Sequence, residues 1–220
     1  DMMFEPPNFL IPTTSRIEYW AVYDPDKGLQ ELGIDGWPKE QRLGPGHARV
    51  LHAPEAFREK WDAMNARLEA MAEPPLQKNG FVALRLYTGP LFYKYNNVLR
   101  GVTVAGVKGP LNWLWMKLCH GNRYTNTLHA ITAAINKCSR VTKCNLVYRA
   151  PGGILPKSFW DDDASGVKGG VELGLMSTST SKHAAMEYAK RSPVKLLFEI
   201  QQGMCARGAD VSWLSMYPAE

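Results

Sequence analysis

Apolar residues recur with a helical period over residues 55–72. Phe57, Trp61, Met64, Leu68 and Met71 fall on one stripe, with charges between them. That spacing predicts an amphipathic helix, with Pro74-Pro75 ending it because proline cannot continue the hydrogen-bond ladder. Residues 81–100 carry a second helical pattern, interrupted at Gly89-Pro90. A third covers residues 124–139, with Leu128, Ile131, Ile135 and Cys138 at helical spacing. Beyond it the pattern changes to short apolar runs. Asn145-Leu146-Val147-Tyr148-Arg149 predicts a strand, stopped by Pro151-Gly152-Gly153. Residues 171–176 and 195–200 predict a second and a third. Between these two lies a short helix over residues 182–190, with Ser181 as its N-cap. Before the first helix, Tyr19-Trp20-Ala21-Val22-Tyr23 predicts a short strand and residues 33–38 a run of turns.

The N-terminal part is mostly helical and the C-terminal part mostly strands. That segregation predicts an α+β fold rather than alternating α/β. Pro74-Pro75 is the natural boundary. It separates an N-terminal extension of unassigned role (1–75) from a second unit (76–220). A chain of 220 residues that is 45% hydrophobic has enough material for a real core. No apolar run reaches the ~18 residues of a membrane-spanning helix, and no secretory leader is visible. The compartment stays open. The chain begins with Asp1 rather than Met, implying that something upstream was removed.

Charge changes the picture only slightly. The net charge is +5 and the pI about 9.0. The Lys and Arg residues are scattered, so no nucleic-acid or membrane partner is expected, while a local anion such as a phosphate fits. Cys119, Cys138, Cys144 and Cys205 form no CxxC pair and read as free thiols. His47, His52, His120, His129 and His183 show no ligand spacing, so no metal is expected; His129 reads as a polar residue of its helix. Asp161, Asp163, Ser165, Gly166 and Glu172 are spaced as in a calcium loop. The flanking helices are missing, which favours a solvated acidic loop.

The chemistry concentrates in three places. Leu175-Met176 leads directly into Ser177-Thr178-Ser179, three hydroxyls at the mouth of an apolar run. Arg149 stands at a strand end before them and Glu220 after them. Arginine offers a planar fork of donors for a phosphate or pyrophosphate. Hydroxyls can bond a ribose or hold a carboxylate in place. A carboxylate facing a sugar can stabilise positive charge developing at the anomeric carbon. Together they suit a dinucleotide whose glycosidic bond is to be broken.

The same residues, in the same order, resemble the arginine-type mono-ADP-ribosyltransferases, the R-S-E class. Leu146-Val147-Tyr148-Arg149 is similar to that family's strand ending in its NAD-binding arginine. Met176-Ser177-Thr178-Ser179 is similar to its S-T-S motif, and residues 185–189 to the helix that follows. Residues 209–220 resemble the loop leading into its E-x-E motif. Tyr87-Thr88-Gly89 and Tyr93-Lys94-Tyr95-Asn96-Asn97-Val98-Leu99-Arg100 resemble helical segments beside its NAD cleft. The likeness runs from about residue 80 to the end.

The resemblance implies two small mixed β-sheets packed at an angle around an NAD cleft, with N-terminal helices over one side. It implies NAD as substrate, and a protein presenting arginine as acceptor. Arg149 would hold the pyrophosphate and the nicotinamide-side ribose, with Ala150 beside it. Ser177 would position the catalytic glutamate, supported by Thr178 and Ser179, and Lys182 would contact phosphate. Tyr93 and Asn96 would line the cleft, although Phe92, Tyr93 and Tyr95, as aromatics at helical spacing, read first as core. Trp213 and Tyr217 would face the acceptor. Glu220 matches the first glutamate of E-x-E, which orients the acceptor. The second, which stabilises the transition state, would then follow Glu220, unless Glu220 fills that role in a shifted register. The chain as it stands is therefore expected to turn NAD over slowly. Ala150 replaces the family's usual glycine and restricts the backbone there. An NAD glycohydrolase and an inactive NAD- or protein-binding relative are the alternatives.

Overall fold

The computed structural model describes residues 24–27, 53–89, 91–102, 119, 122–190 and 192–216. The strand expected at 19–23, the turns at 33–38, and His47, His52, His120, Tyr217 and Glu220 lie outside them. The described residues combine helices with a small antiparallel sheet, an α+β composition. They fall into two compact units. One holds the described residues up to Lys143 together with those from Arg207; the other is Cys144–Ala206.

The first unit is helical. Helix α1 (Pro54–Glu69) buries Phe57, Met64 and Leu68 along the predicted stripe. It stops before the prolines. Ala72 takes a left-handed φ of +56° and the Glu73 N–H returns to the Leu68 carbonyl at 3.0 Å, closing the last turn. Met71, expected on the stripe, therefore lies past the helix and is 55% exposed.

The compact units divide at Lys143–Cys144 rather than at Pro74-Pro75. The chain after the prolines is stitched back onto α1. The Leu76 carbonyl accepts from Trp61 Nε1 at 2.7 Å, and the Leu76 N–H donates to Asn65 Oδ1 at 2.7 Å. Residues 54–69 are thus part of this unit's core.

Helix α2 (Lys78–Tyr87) is buried at every position from Gly80 to Tyr87. A helix apolar all round is a core helix. It packs on α4 (Thr125–Ser139), with Gly80 facing Leu76 and Ala134. A Cβ there would lie 3.4 Å from Leu76 and 3.5 Å from Ala134, at ordinary contact distance. Helix α3 (Phe92–Val102) follows the break at Gly89. Its aromatics separate: Tyr95 is fully buried, edge-on to Tyr124, while Phe92 and Tyr93 are exposed.

Arg85 is the polar exception on α2. It is fully buried, its guanidinium 5.2 Å from the Phe57 ring centre, and it donates to the Leu214 carbonyl at 2.6 Å. Lys60 Nζ donates to the neighbouring Trp213 carbonyl. Two cations therefore hold consecutive carbonyls of the segment that returns to this unit.

The second unit is built on one antiparallel pair, β1 (Leu146–Arg149) and β2 (Phe198–Gln201), with Arg149 opposite Phe198 and Tyr148 opposite Glu199. Phe198 stacks on Phe159 of a short 3-10 turn. Helix α5 (Lys182–Lys190) packs on β1. Its predicted cap is present: Ser181 Oγ accepts the Ala184 N–H at 3.2 Å.

Two predicted strands differ. Residues 171–176 form none. The Glu172 carboxylate accepts the Gly174 N–H at 2.9 Å, a local bond that competes with a ladder. The run predicted at 195–200 joins the sheet only from Phe198, because the Leu196 N–H turns back to the Val194 carbonyl at 3.2 Å.

Candidate functional site

Arg149 and the Ser177-Thr178-Ser179 run, 28 residues apart in sequence, meet in the second unit. Tyr148 and Ser179 exchange both backbone hydrogen bonds, N–H to carbonyl at 2.7 Å and 2.9 Å. This single bridge lays the hydroxyl run along β1 on the side opposite β2. Arg149 then reaches across: its guanidinium donates to the Ser177 carbonyl at 2.9 Å. The arginine grips the main chain of the hydroxyl run, and the run's own turn fixes the rest. Ser179 Oγ accepts the Ser181 N–H at 3.0 Å, one turn before the Ser181 cap. Ser177 is exposed; Thr178, Ser179 and Ala150 are half-buried.

A carboxylate completes the cluster. Glu172 Oε2 lies 3.3 Å from the Arg149 guanidinium, the arginine half-buried and the glutamate at the surface. In the sequence Glu172 stands only as the end of a solvated acidic loop and within the strand expected at 171–176. Here its carboxylate faces Arg149 and the Gly174 N–H. The acidic loop closes on itself: Asp163 Oδ1 accepts the Ser165 and Val167 N–H groups at 2.8 Å and 2.9 Å. Those bonds hold the Asp163 carboxyl below its ordinary range. Asp161 and Asp162 pair with Lys157 and Lys168. Among the described residues no three His, Cys, Asp or Glu side chains converge on a metal position.

Lys182, expected at a phosphate, is bonded to Glu199 and lies 5.6 Å from the centre of the Tyr148 ring. The Glu199 bond raises its pKa above the ordinary lysine value. It thus ties α5 to both strands, and a phosphate would compete with Glu199 for it.

The remaining candidates belong to the first unit. Tyr93 is exposed on α3 and edge-on to Phe92; its carbonyl accepts from Asn97. Asn96 is buried. Trp213 is half-buried, 5.8 Å from Phe81 between ring centres, with its indole N–H on the Asp210 carbonyl at 2.9 Å. Tyr217 and Glu220 lie outside the described residues.

No protein-family model matches the chain, nor does any curated protein or solved structure. The geometry of the second unit and the motifs themselves therefore carry the functional reading.

Proposed function

We propose that the chain is an NAD-dependent mono-ADP-ribosyltransferase domain, acting on a protein acceptor at arginine. The observation that supports this reading most is the meeting of Arg149 with Ser177-Thr178-Ser179 through the Tyr148–Ser179 bridge. Residues matched to separate motifs of one family are brought into one cluster. A guanidinium presents five N–H donors in one plane, which suits the two phosphates of NAD. Hydroxyls beside it suit the ribose on the nicotinamide side.

In this reading the bond from nicotinamide nitrogen to ribose breaks. Nicotinamide leaves with the bonding pair, and the acceptor guanidine nitrogen bonds to the anomeric carbon and gives up one N–H proton to solvent. The matching architecture is a pair of small mixed sheets around an NAD cleft, with β1 and β2 part of one of them. Ser177 positions the glutamate that stabilises the developing positive charge, and Glu220 orients the acceptor.

Calorimetry with NAD tests the proposal. The chain should bind NAD, and Arg149→Ala should weaken binding ~10-fold or more, as expected when a charge-assisted contact worth ~1.5–3 kcal/mol is lost. Absence of binding, or equal binding by the variant, refutes it. Nicotinamide release with and without agmatine then separates transferase from glycohydrolase, since only the former depends on the arginine analogue. Binding without release even when a second glutamate is supplied two positions after Glu220 identifies an inactive relative.

A further inference from the structure

A second concentration of positive charge lies in the first unit, around the turn that ends α4. Two arginines from distant parts of the chain reach consecutive carbonyls there. Arg67 of α1 donates to the Val141 carbonyl at 3.0 Å, and Arg207 donates to the Arg140 carbonyl at 3.3 Å. Arg140 and Lys143, on the same turn, are exposed. Lys137, less than one helical turn earlier, donates to the Pro75 carbonyl at 2.8 Å.

Among the described residues none of these five cations has a carboxylate partner. The acid that comes near through its backbone is Asp210, whose N–H donates to Thr142 Oγ1; its carboxylate is turned to Ser212. The second unit is arranged differently. Arg149, Lys157, Lys168, Lys182 and Lys190 each face a carboxylate there, and Lys195 stands apart without one among the described residues.

Cations at a helix C-terminus ordinarily satisfy its last carbonyls. That accounts for one such side chain. It leaves unexplained why two guanidiniums should be held on adjacent carbonyls, beside two more exposed cations, where like charges repel. A multiply charged anion relieves that repulsion. Arginine forks favour a phosphate, whose oxygens match their paired donors.

We propose that the turn ending α4 is a phosphate-binding site, formed by Arg67, Arg140 and Arg207 with Lys137 and Lys143 beside them. The site uses none of the residues assigned to NAD and stands independently of that assignment.

The test uses the full chain, with inorganic pyrophosphate titrated at constant ionic strength and binding read by calorimetry and thermal unfolding. Pyrophosphate should raise the unfolding temperature beyond sodium chloride of equal ionic strength. Arg67→Gln with Arg207→Gln should weaken binding ~10-fold or more, because two charge-assisted contacts are lost, while each glutamine keeps an N–H donor. Arg140→Gln, at an exposed side chain, should weaken binding without disturbing the fold. Arg149→Ala should retain this binding. A second arm uses phosphatidylcholine vesicles carrying a phosphoinositide bisphosphate. Capture lost in the same double variant assigns the phosphate to a lipid headgroup, and binding of pyrophosphate alone assigns it to a free phosphate. The proposal is overturned if unfolding follows ionic strength alone, or if Arg140→Gln and the double variant bind as the parent does. It is equally overturned if the double variant only lowers the unfolding temperature, which identifies the arginines as helix caps.

Discussion

Replacing Glu172 with glutamine asks whether Arg149 is held back from an anionic ligand by its neighbour. The two groups are 3.3 Å apart, with 17% and 30% of their side chains exposed. An ion pair of this kind near a surface contributes ~0.2–1 kcal/mol. If the NAD pyrophosphate takes the guanidinium from Glu172, that energy opposes binding. Removing it should tighten NAD binding ~1.4- to 5-fold, at about 1.4 kcal/mol per factor of ten. Repulsion between Glu172 and the phosphates acts in the same direction. Glutamine keeps an oxygen for the Gly174 N–H, now 2.9 Å from Glu172 Oε1, so the loop should hold its shape. Calorimetry on the parent, Glu172→Gln, Arg149→Ala and the double variant makes a complete cycle. Tightening should be present with Arg149 and reduced without it. Weaker binding by Glu172→Gln would make Glu172 a ligand contact and refute the competition. Equal binding would show that the guanidinium needs no release.

Ala72 holds a left-handed backbone, which costs an L-residue with a Cβ ~1–2 kcal/mol. Ala72→Gly should stabilise the chain by about 0.5–1 kcal/mol in urea unfolding, after allowance for the more flexible unfolded glycine; a destabilised variant would refute the strain. Cys144 and Cys205 are exposed, whereas Cys119 and Cys138 are buried, and burial pushes the Cys138 thiol up to about 11. A thiol reagent at pH 8 should label the exposed pair in native protein and all four cysteines in denaturant. The Asp163 carboxyl is held below its ordinary 3.8 by the Val167 and Ser165 N–H groups. A lowered carboxylate pKa contributes loop stability above the unfolded value and loses it as pH falls through the folded one. The Ser165 and Val167 amide shifts should therefore titrate together with a midpoint below 3.8, while a midpoint above it contradicts the bonds.

Most of the helices were legible because their signal is local. The stripe on α1 and the repeat on α4 depend on residues three and four apart, and Ser181 caps α5 from three residues away. What escaped was the detail that local signals do not carry. Pro74-Pro75 looks like a stop and a boundary. The actual stop is a carbonyl closure at Ala72, and the bonds of Leu76 to Trp61 and Asn65 make the prolines internal to a unit. Residues 171–176 have strand-like composition, but a strand exists only where a partner takes its N–H groups. One bond from Gly174 to its neighbour's side chain takes a needed donor away.

The candidate site divides in the same way. Arg149 and the hydroxyl run could be named from residue type and order, because a fork of donors and a row of hydroxyls signify ligand chemistry wherever they occur. Their partners could not. Glu172 on Arg149, Glu199 on Lys182, and Arg67 and Arg207 on adjacent carbonyls join residues 17 to 74 positions apart. No periodicity records such pairs. Yet they decide what each cation can do. A lysine bonded to Glu199 must be released before it can meet a phosphate, whereas cations resting on carbonyls keep their charge uncancelled. In this chain the residues that sequence marks most clearly as anion ligands are those already facing carboxylates. Around the turn ending α4, Arg67, Lys137 and Arg207, which no motif marks, rest on carbonyls and keep their charge uncompensated among the described residues. Charge pairing in three dimensions, more than charge in the sequence, therefore ranks where an anion binds without first displacing an acid.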